Sequence, residues 1–318
     1  MRLRSSLLPL VAAAVFSALA LLVPVDPDSP MAQAANTQAF GRVIDLGQDV
    51  KMLMGQGGNM AMLGGPDGLF VVDDQFTTNA EANLAKIEEI AKAKPKFLVN
   101  THWHFDHMGG NAVFAKAGAT IFASDNSRKR MSGQITSLEL TGQPRRTWAK
   151  EFWPVVTFKD GIDFHLNGQT IRVIKAPAPT HTDGDVMIYF VEADVLHMGD
   201  TYTKDGYPLV DTPSNGTQAG HIATFKRVLE LTGPNTKYIP GHGELANRDD
   251  VVATLAMHEG ARAAVEKAVK SGATLQQTIA ARPLAQWTPR FGRPGNFASE
   301  DAFVTVIYNE LKKSQPQA

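Results

Sequence analysis

Short apolar runs separated by glycine-rich turns dominate the chain after residue 40. The runs Val50–Met54, Met60–Leu63 and Leu69–Val72 are separated by Gly-Gln-Gly-Gly at 55–58 and Gly-Pro-Asp-Gly at 65–68. Apolar runs of this length, bounded by turn residues, are typical of buried strands. This part of the sequence therefore predicts a meander of strands.

Helix and strand patterns alternate through the rest of the chain. Residues 79–93 carry apolar side chains at helical spacing, and 97–100 form the next apolar run. Further strands are predicted at 120–123, 157–158, 162–166, 170–175, 186–191, 195–198 and 238–239. Further helices are predicted at 219–231, 251–271, 275–281 and 299–313. Segment 124–151 is expected to combine a helix with a loop, and 282–296 is expected to be a loop.

The strand–helix alternation occurs once in each half of the chain. It predicts an α/β fold, an αββα sandwich of two mixed β-sheets with helices on the outer faces. A doubly wound parallel sheet is the alternative that the pattern leaves open. We expect residues 35–247 to form the main domain and 248–318 to form a helical C-terminal extension of it.

The first 34 residues have the pattern of an export signal. Arg2 and Arg4 precede an apolar run from Leu7 to Val25, and Ala32-Gln33-Ala34 provides a small-residue cleavage site. The alternative is a retained membrane anchor, because the run is close to the ~20 residues that span a bilayer. The missing stop-transfer flank favours cleavage. We therefore expect a periplasmic or secreted protein with no stable membrane association.

Composition limits the chemistry that this chain can perform. It has 318 residues, a formal net charge of -1 and no cysteine. Disulfides, thiolate metal sites, cysteine nucleophiles and iron–sulfur clusters are thereby excluded. The balanced charge argues against a nucleic-acid partner and leaves a small molecule as the expected substrate. Any metal ion must be held by His, Asp or Glu, and the sequence does not indicate an oligomeric state.

The segment from His102 to His107 concentrates groups that can bind metal ions. His102, His104, Asp106 and His107 lie within six residues, directly after a predicted strand. Imidazole suits zinc, and a carboxylate adds a hard, negatively charged ligand. An incidental polar loop is the alternative explanation, but so dense a cluster favours a metal site.

Three isolated residues extend this candidate site. His181, Asp200 and His242 each follow the apolar residues of a predicted strand. In α/β folds, binding sites lie at the carboxyl ends of strands. Each residue alone is more typical of an ordinary hydrogen-bonded polar side chain than of a ligand. Together they place further ligand-type side chains where a site is expected.

These motifs resemble those of the metallo-β-lactamase superfamily. The resemblance rests on H-x-H-x-D-H at 102–107, Gly-Asp at 199–200 and Pro-Gly-His-Gly at 240–243, and it spans 43–244. It implies two zinc ions, with iron or manganese as alternatives. In that family arrangement His102, His104 and His181 would bind one ion, Asp106, His107 and His242 would bind the other, and Asp200 would bridge them. Asp106 would also orient the attacking hydroxide.

The ligand set is most similar to that of glyoxalase II-type thioesterases and lactonases, because an aspartate stands where some lactamases use a thiolate. The resemblance implies an exported zinc-dependent hydrolase in which a metal-bound hydroxide cleaves a β-lactam-like amide, a lactone or a thioester. An iron-dependent dioxygenase or other oxidoreductase on the same fold is one alternative. A non-enzymatic zinc-binding protein is another, and the charge and export signal argue against a nuclease.

Four further residues are candidates around the site. We expect Asp73, at the end of a predicted strand, to support a ligand imidazole, with a turn residue as the alternative. Tyr202, Lys204 and Asn215 follow Asp200 in the region where relatives recognise substrate, so they are candidate substrate-binding residues. For Lys204, a solvent-exposed loop position is the alternative.

Overall fold

The computed structural model describes residues 39–139, 142–145, 147–292 and 298–314. The predicted signal peptide at 1–34 lies outside these residues. In the part of the chain that is described, no helix is both long enough and apolar enough to cross a membrane.

Seven strands form the first sheet, in the spatial order β1 to β7. The first four strands pair antiparallel, and β4 to β7 pair parallel, so the sheet is mixed. The strands are β1 (Arg42–Gly47), β2 (Val50–Met54), β3 (Met60–Leu63), β4 (Leu69–Val72), β5 (Pro95–Val99), β6 (Thr120–Ser124) and β7 (Val156–Phe158).

Five strands form the second sheet, in the order β12-β11-β10-β9-β8. Strands β8 to β11 pair antiparallel, and β11 pairs parallel with β12. The strands are β8 (Gly161–Leu166), β9 (Gln169–Lys175), β10 (Val186–Phe190), β11 (Val195–Thr203) and β12 (Lys237–His242).

Among the described residues, the three longest helices lie in the second half of the chain. They are α1 (Ala80–Ala91), α2 (Phe105–Met108), α3 (Asn111–Lys116), α4 (Asp125–Met131), α5 (Gln218–Leu231), α6 (Arg248–Lys270), α7 (Leu275–Ala280), α8 (Thr288–Phe291) and α9 (Glu300–Lys313). Short 3-10 helices lie at Thr77–Asn79, Lys150–Phe152 and Thr212–Ser214.

Three hydrophobic clusters define the layers. The largest contains residues of both sheets, such as Phe70 and Val72 of the first and Ile188 and Phe190 of the second. A second cluster packs the outer face of the first sheet against α1 and α3, and a third packs the second sheet against α5 and α6. Burial on both faces of each sheet confirms the predicted αββα sandwich and excludes the single doubly wound sheet.

A fourth cluster joins the C-terminal helices α6, α7 and α9. Its buried side chains include Val265, Phe303 and Ile307, and Tyr207 from the loop after β11 also packs into it. These helices therefore bury an apolar interior of their own, which contacts the loop after β11.

Most predicted elements lie within a few residues of the observed ones. The short helices α2 and α3 were not predicted, and three further elements differ. Strand β1 was not predicted, because its apolar residues are few and most of it is exposed. Helix α8 lies within a segment expected to be a loop. Strand β11 continues beyond Met198 to Thr203, because Gly199 adopts a left-handed φ of 52° and the pairing with β12 shifts register there.

Candidate metal centre

All of the predicted ligands except Asp200 lie at strand ends or just beyond them. Strand β5 leads into the loop and short helix that carry His102 to His107. His181 lies in the loop between β9 and β10, Asp200 lies within β11, and His242 ends β12. The fold thus brings together residues from four separate segments of the chain.

The first group consists of His102, His104, His181 and Asp200, all buried, whose candidate ligand atoms lie within 4.8 Å of one another. His181 Nε2 is 2.8 Å from His104 Nδ1 and 3.5 Å from Asp200 Oδ2. His102 Nε2 is 4.0 Å from the same carboxylate oxygen. Three imidazoles and one carboxylate oxygen therefore face a common point.

The second group consists of Asp106, His107 and His242, whose candidate ligand atoms also lie within 4.8 Å of one another. His242 Nε2 is 3.2 Å from Asp106 Oδ2 and 3.3 Å from His107 Nε2. His107 Nε2 is 3.7 Å from Asp106 Oδ2.

Asp200 lies between the two groups. Its Oδ2 faces the first group, whereas its Oδ1 is 3.0 Å from His107 Nε2 and 3.3 Å from His242 Nε2 in the second. One carboxylate thus presents one oxygen to each group. This placement depends on the left-handed Gly199, at which a Cβ would lie 2.7 Å from that of Thr101.

In four of the histidines, one ring nitrogen faces the candidate ligand groups and the other lies within hydrogen-bond distance of a residue outside them. His107 Nδ1 is 2.7 Å from Asp73 Oδ2, and His181 Nδ1 is 2.6 Å from the Leu209 carbonyl oxygen. His102 Nδ1 is 3.0 Å from Thr101 Oγ1, and His104 Nε2 is 2.8 Å from Asp211 Oδ2. Such contacts fix the ring orientation and the tautomer of a ligand imidazole.

Asp73 is fully buried and has a left-handed φ of 57°. Besides the His107 imidazole, its carboxylate accepts hydrogen bonds from the Thr101 amide and hydroxyl, at 2.7 and 2.8 Å. It therefore joins the end of β4 to the start of the loop that carries the histidine cluster, where the sequence had predicted a supporting carboxylate.

Asp211 was missed at the sequence level. Its Oδ2 contacts His104 and also accepts a hydrogen bond from Ser214 Oγ at 2.6 Å, while Arg145 Nη1 lies 3.2 Å away. Nothing in the local sequence marks Asp211, which lies outside every ligand motif, or Arg145, which belongs to a generally basic segment. Only the fold brings these two residues next to a histidine.

In the second group, nearby carboxylates stabilise the protonated, positively charged form of the two imidazoles. Burial lowers the pKa of His107, but the carboxylates of Asp200, Asp106 and Asp73 raise it well above its usual value. The same balance raises the pKa of His242 to about 9, chiefly through Asp200 and Asp106. Burial raises the pKa of Asp106, but His107 and His242 bring it to about 2.

In the first group, burial dominates instead. It lowers the pKa of His102 well below its usual value and that of His104 to a smaller extent. Imidazoles that stay neutral at physiological pH have a lone pair available for a metal ion. Both groups are therefore suited to a cation, the first through neutral nitrogen donors and the second through its carboxylates.

An unsatisfied nitrogen supports the same conclusion. His102 Nε2 is buried and has no hydrogen-bond partner among the described residues. Buried polar atoms in native proteins nearly always have partners, so an unpaired nitrogen aimed into a cluster of imidazoles and a carboxylate fits a metal ligand. The donor set is thus suited to divalent metal ions.

The three predicted substrate-binding residues have different surroundings. Tyr202 is fully buried and packs edge-on against Phe225, so the prediction that it contacts substrate is corrected: its ring belongs to the core behind β11. Lys204 Nζ lies 3.0 Å from Asp250 Oδ2 and donates to the Leu245 carbonyl. The Lys204 ammonium group therefore binds to the first turn of α6 and to the segment just before it.

Asn215 is exposed, and its amide donates to Asp183 Oδ2 at 2.8 Å. Asp183 lies two residues beyond His181 and forms a bidentate ion pair with Arg130, at 2.7 and 2.6 Å. Asn215 therefore lies beside the loop that carries His181, and its role as a substrate contact stays a prediction.

The structure thus combines an αββα sandwich with two groups of side chains that could bind metal ions, and comparison with known families agrees. The family model of the metallo-beta-lactamase superfamily matches residues 54–243, more than half of the chain. The chain belongs to this superfamily. The matched range begins at the end of β2 and ends just beyond His242, so it contains all seven residues of the two groups.

The curated relatives share less than a third of the aligned residues with this chain. Acyl-coenzyme A thioesterase MBLAC2 of Homo sapiens is 27% identical over 168 residues, which cover 49% of this chain and 58% of the relative. Hydroxyacylglutathione hydrolase of Gloeobacter violaceus is 28% identical over 152 residues, which cover 43% of this chain and 50% of the relative. The chain thus spans about half the length of these curated relatives.

Solved structures agree on the fold. A metallo-beta-lactamase from Pontibacter korlensis superposes with a TM-score of 0.58 and 19% identity, covering 69% of this chain and 98% of that one. At this identity the similarity concerns the fold alone.

Proposed function

We propose that this protein is a hydrolase that uses two divalent metal ions, zinc in the first instance, to cleave a carbonyl-centred bond in a small molecule. A thioester is the preferred substrate class, and a lactone or a β-lactam-like amide are the others. Membership of a superfamily with thioesterase and hydroxyacylglutathione hydrolase members supports hydrolysis as the reaction class.

The position of Asp200 carries this proposal. A carboxylate that presents Oδ2 to three imidazoles and Oδ1 to two others is suited to bridging a pair of cations. A single-metal site would not need a second group of ligand-type side chains on the far side of that carboxylate. We therefore propose that the His102 and His107 groups each hold one ion.

Zinc ions in such a site would supply Lewis-acid polarisation of the carbonyl and a nucleophile at neutral pH. The chain's own residues would hold and orient the reactants. Asp106 has a pKa of about 2 and is therefore ionised at neutral pH, so its carboxylate can help to hold a cation and would orient the attacking water. The chain contains no cysteine, so a cysteine acyl-enzyme is excluded.

The names of the curated relatives support thioesters as the first class to test. One is a thioesterase of acyl-coenzyme A, and the other hydrolyses hydroxyacylglutathione, as their names state. Both substrates place a carbonyl beside a sulfur leaving group. We transfer only this shared feature to the present chain, because the matches cover about half of each relative.

The test combines metal analysis with a substrate panel. The purified protein is expected to contain two metal ions and to hydrolyse an acyl-coenzyme A or a hydroxyacylglutathione faster than a lactone or nitrocefin. Chelation should abolish turnover, and Zn²⁺ should restore it. Asp200→Asn should lower activity by ~100-fold or more and reduce the metal content, because it removes a bridging charge. Asp249→Asn, an exposed carboxylate on α6, is the matched control.

Two outcomes would contradict the proposal. Turnover that persists after complete metal removal would exclude a metal-dependent mechanism. Iron as the bound metal, with oxygen consumption and no hydrolysis, would favour a dioxygenase on the same fold.

We also propose that the protein is exported. The charged, apolar and small-residue pattern of residues 1–34 supports this. Expression of the full chain in a Gram-negative host, followed by fractionation and N-terminal sequencing, tests it. A new N-terminus near residue 35 in the periplasm is expected, and an intact N-terminus in the membrane fraction would indicate a retained anchor.

A further inference from the structure

We infer that two consecutive residues of the β2–β3 turn, Gly58 and Asn59, set the spacing between the two loops that carry the second ligand group. One loop carries Asp106 and His107, and the other carries His242. This inference rests on the proposed two-metal site. It assigns positioning residues outside the ligand set, at the end of the predicted glycine-rich turn at 55–58 and directly after it.

Backbone hydrogen bonds join the turn to both loops. The Gly58 amide donates to the Asp106 carbonyl at 2.9 Å, and the next amide, that of Asn59, donates to the Gly241 carbonyl at 2.7 Å. The two loops are far apart in sequence, so neighbouring amides of one turn fix their separation at the site. Within that gap, His107 Nε2 and His242 Nε2 lie 3.3 Å apart.

The side chain of Asn59 strengthens the contact with the second loop. Its Nδ2 donates to the Pro240 carbonyl at 2.8 Å and to the Gly243 carbonyl at 2.9 Å. Its own carbonyl oxygen lies 2.9 Å from Nε2 of the buried His197. Asn59 is 4% exposed, so both amide hydrogens are used in a dry environment on either side of His242.

Gly58 is required because its backbone lies against the His107 imidazole. A Cβ at residue 58 would lie 2.1 Å from His107 Cε1 and 2.5 Å from both ring nitrogens. The ring cannot move away freely, because Asp73 holds Nδ1 at 2.7 Å. Any larger side chain at 58 would therefore displace either the turn or the ligand.

The turn is itself anchored to the first sheet and α1. The buried Gln75 donates from Nε2 to the Gly58 carbonyl at 2.8 Å. Its Oε1 accepts from Nδ2 of Asn79 at 3.1 Å and of Asn83 at 3.0 Å. This chain of buried amides gives the turn a fixed position from which it can hold the two loops.

Loss of these turn contacts should affect the two metal ions differently. In the first group, the outer contacts of the imidazoles come from Thr101, Leu209 and Asp211, none of which belongs to the turn. Weakening the turn should therefore lower affinity for the ion of the second group and leave the first nearly unchanged. A general loss of stability would not produce this difference between two sites of one protein.

The experiment is a Co²⁺ titration of metal-free protein, followed by d–d absorption and by metal counting after gel filtration. Wild type is expected to bind two equivalents. Asn59→Ala and Gly58→Ala should each weaken the second equivalent by about 10–100-fold, as is usual for residues that orient ligands, and change the first by less than about threefold. Asn167→Ala is the matched control, because Asn167 also bonds backbone groups of another loop, at residues 67–68.

The outcomes separate this inference from the proposed function. Wild type that binds a single equivalent would overturn the two-metal site and the positioning role with it. Wild type that binds two equivalents, with unchanged second affinity in both variants, would overturn the positioning role alone. Circular dichroism and thermal unfolding of the metal-free variants establish that they fold. If Asn59→Ala does not fold, Gly58→Ala, which removes no hydrogen-bonding group, carries the test.

Discussion

At the scale of single residues, His104 depends on a partner far away in the sequence. Asp211 holds the Nε2 of His104, and Arg145 and Ser214 contact the same carboxylate oxygen. Burial raises the pKa of Asp211, but His104 and Arg145 hold it well below its usual value. A carboxylate at this position orients the imidazole and increases the electron density on Nδ1, which faces the first group.

Replacing Asp211 by Asn should therefore weaken the first ion more than the second. An amide can still accept from His104, but it carries no charge and leaves Glu139, 3.1 Å from Arg145 Nε, as the remaining anionic partner of Arg145. We expect a loss of about tenfold in affinity for the first equivalent, measured by the same Co²⁺ titration. Asp163→Asn, at an exposed carboxylate paired with Arg172, is the control. An equal loss at both equivalents would indicate general destabilisation instead.

At the scale of elements, the last helix supports the start of α5. Glu310 of α9 accepts hydrogen bonds from the amides of Gln218 and Ala219, at 2.8 and 3.2 Å, and pairs with Arg262 of α6 at 2.8 Å. The first amides of a helix lack partners within the helix and carry partial positive charge. Glu310 thus satisfies them from another element and joins α5, α6 and α9.

Glu310→Ala should lower the free energy of unfolding by about 1–2 kcal/mol, in the range typical for loss of a charged helix cap. Urea denaturation of the metal-free protein measures this change. Glu230→Ala is the control, since Glu230 lies on α5 in an exposed pair with Arg227 at 3.2 Å and should contribute less than about 0.5 kcal/mol. Equal effects of the two substitutions would contradict a capping role for Glu310.

At the scale of the whole molecule, buried imidazoles make stability depend on pH. His258 of α6 and His221 of α5 stack with ring centroids 5.2 Å apart, and both are buried. Phe225 and Phe303 lie 5.3 and 5.5 Å from the His258 ring. Burial in these apolar surroundings lowers the pKa of His258 to about 3.

The sign of the resulting pH dependence follows from proton binding. Between pH 6.5 and pH 3, the unfolded chain binds a proton at His258 and the folded protein does not. Stability from this group is therefore full above pH 6.5 and is lost as the pH falls. The loss between pH 7 and pH 4 should amount to about 3 kcal/mol.

His258→Phe should reduce the decrease in unfolding free energy between pH 7 and pH 4 by about 3 kcal/mol, and so flatten its slope against pH. Urea denaturation of the metal-free protein at several pH values measures the slope. Any constant change in stability does not affect the comparison, because only the slope is tested. His165→Phe, at an exposed position on β8, is the matched control. Parallel pH profiles for wild type and His258→Phe would show that His258 does not titrate as proposed.

The sequence predicted the candidate ligands better than it predicted the residues around them. The short run from His102 to His107 can be identified as a metal site from the sequence, because four ligand-type side chains in six residues rarely serve another purpose. His197 and His258 fit none of the ligand motifs, and both are buried outside the two ligand groups. Tyr202 shows the limit of such reasoning, because its position after Asp200 indicated substrate contact while its ring packs into the core.

By itself, the sequence determined the alternation of strands and helices and the metal-ligand cluster at His102 to His107, because these depend on local periodicity and on a short motif. The division of seven ligands into two groups was implied by the resemblance to the metallo-β-lactamase superfamily. The tertiary structure alone decided which oxygen of Asp200 faces each group, that Asp211 holds His104 and that Gly58 and Asn59 join two distant loops. Those contacts form between segments that are separated by long stretches of chain. Their distances are fixed by how the two sheets pack, and no local pattern of residues encodes that packing.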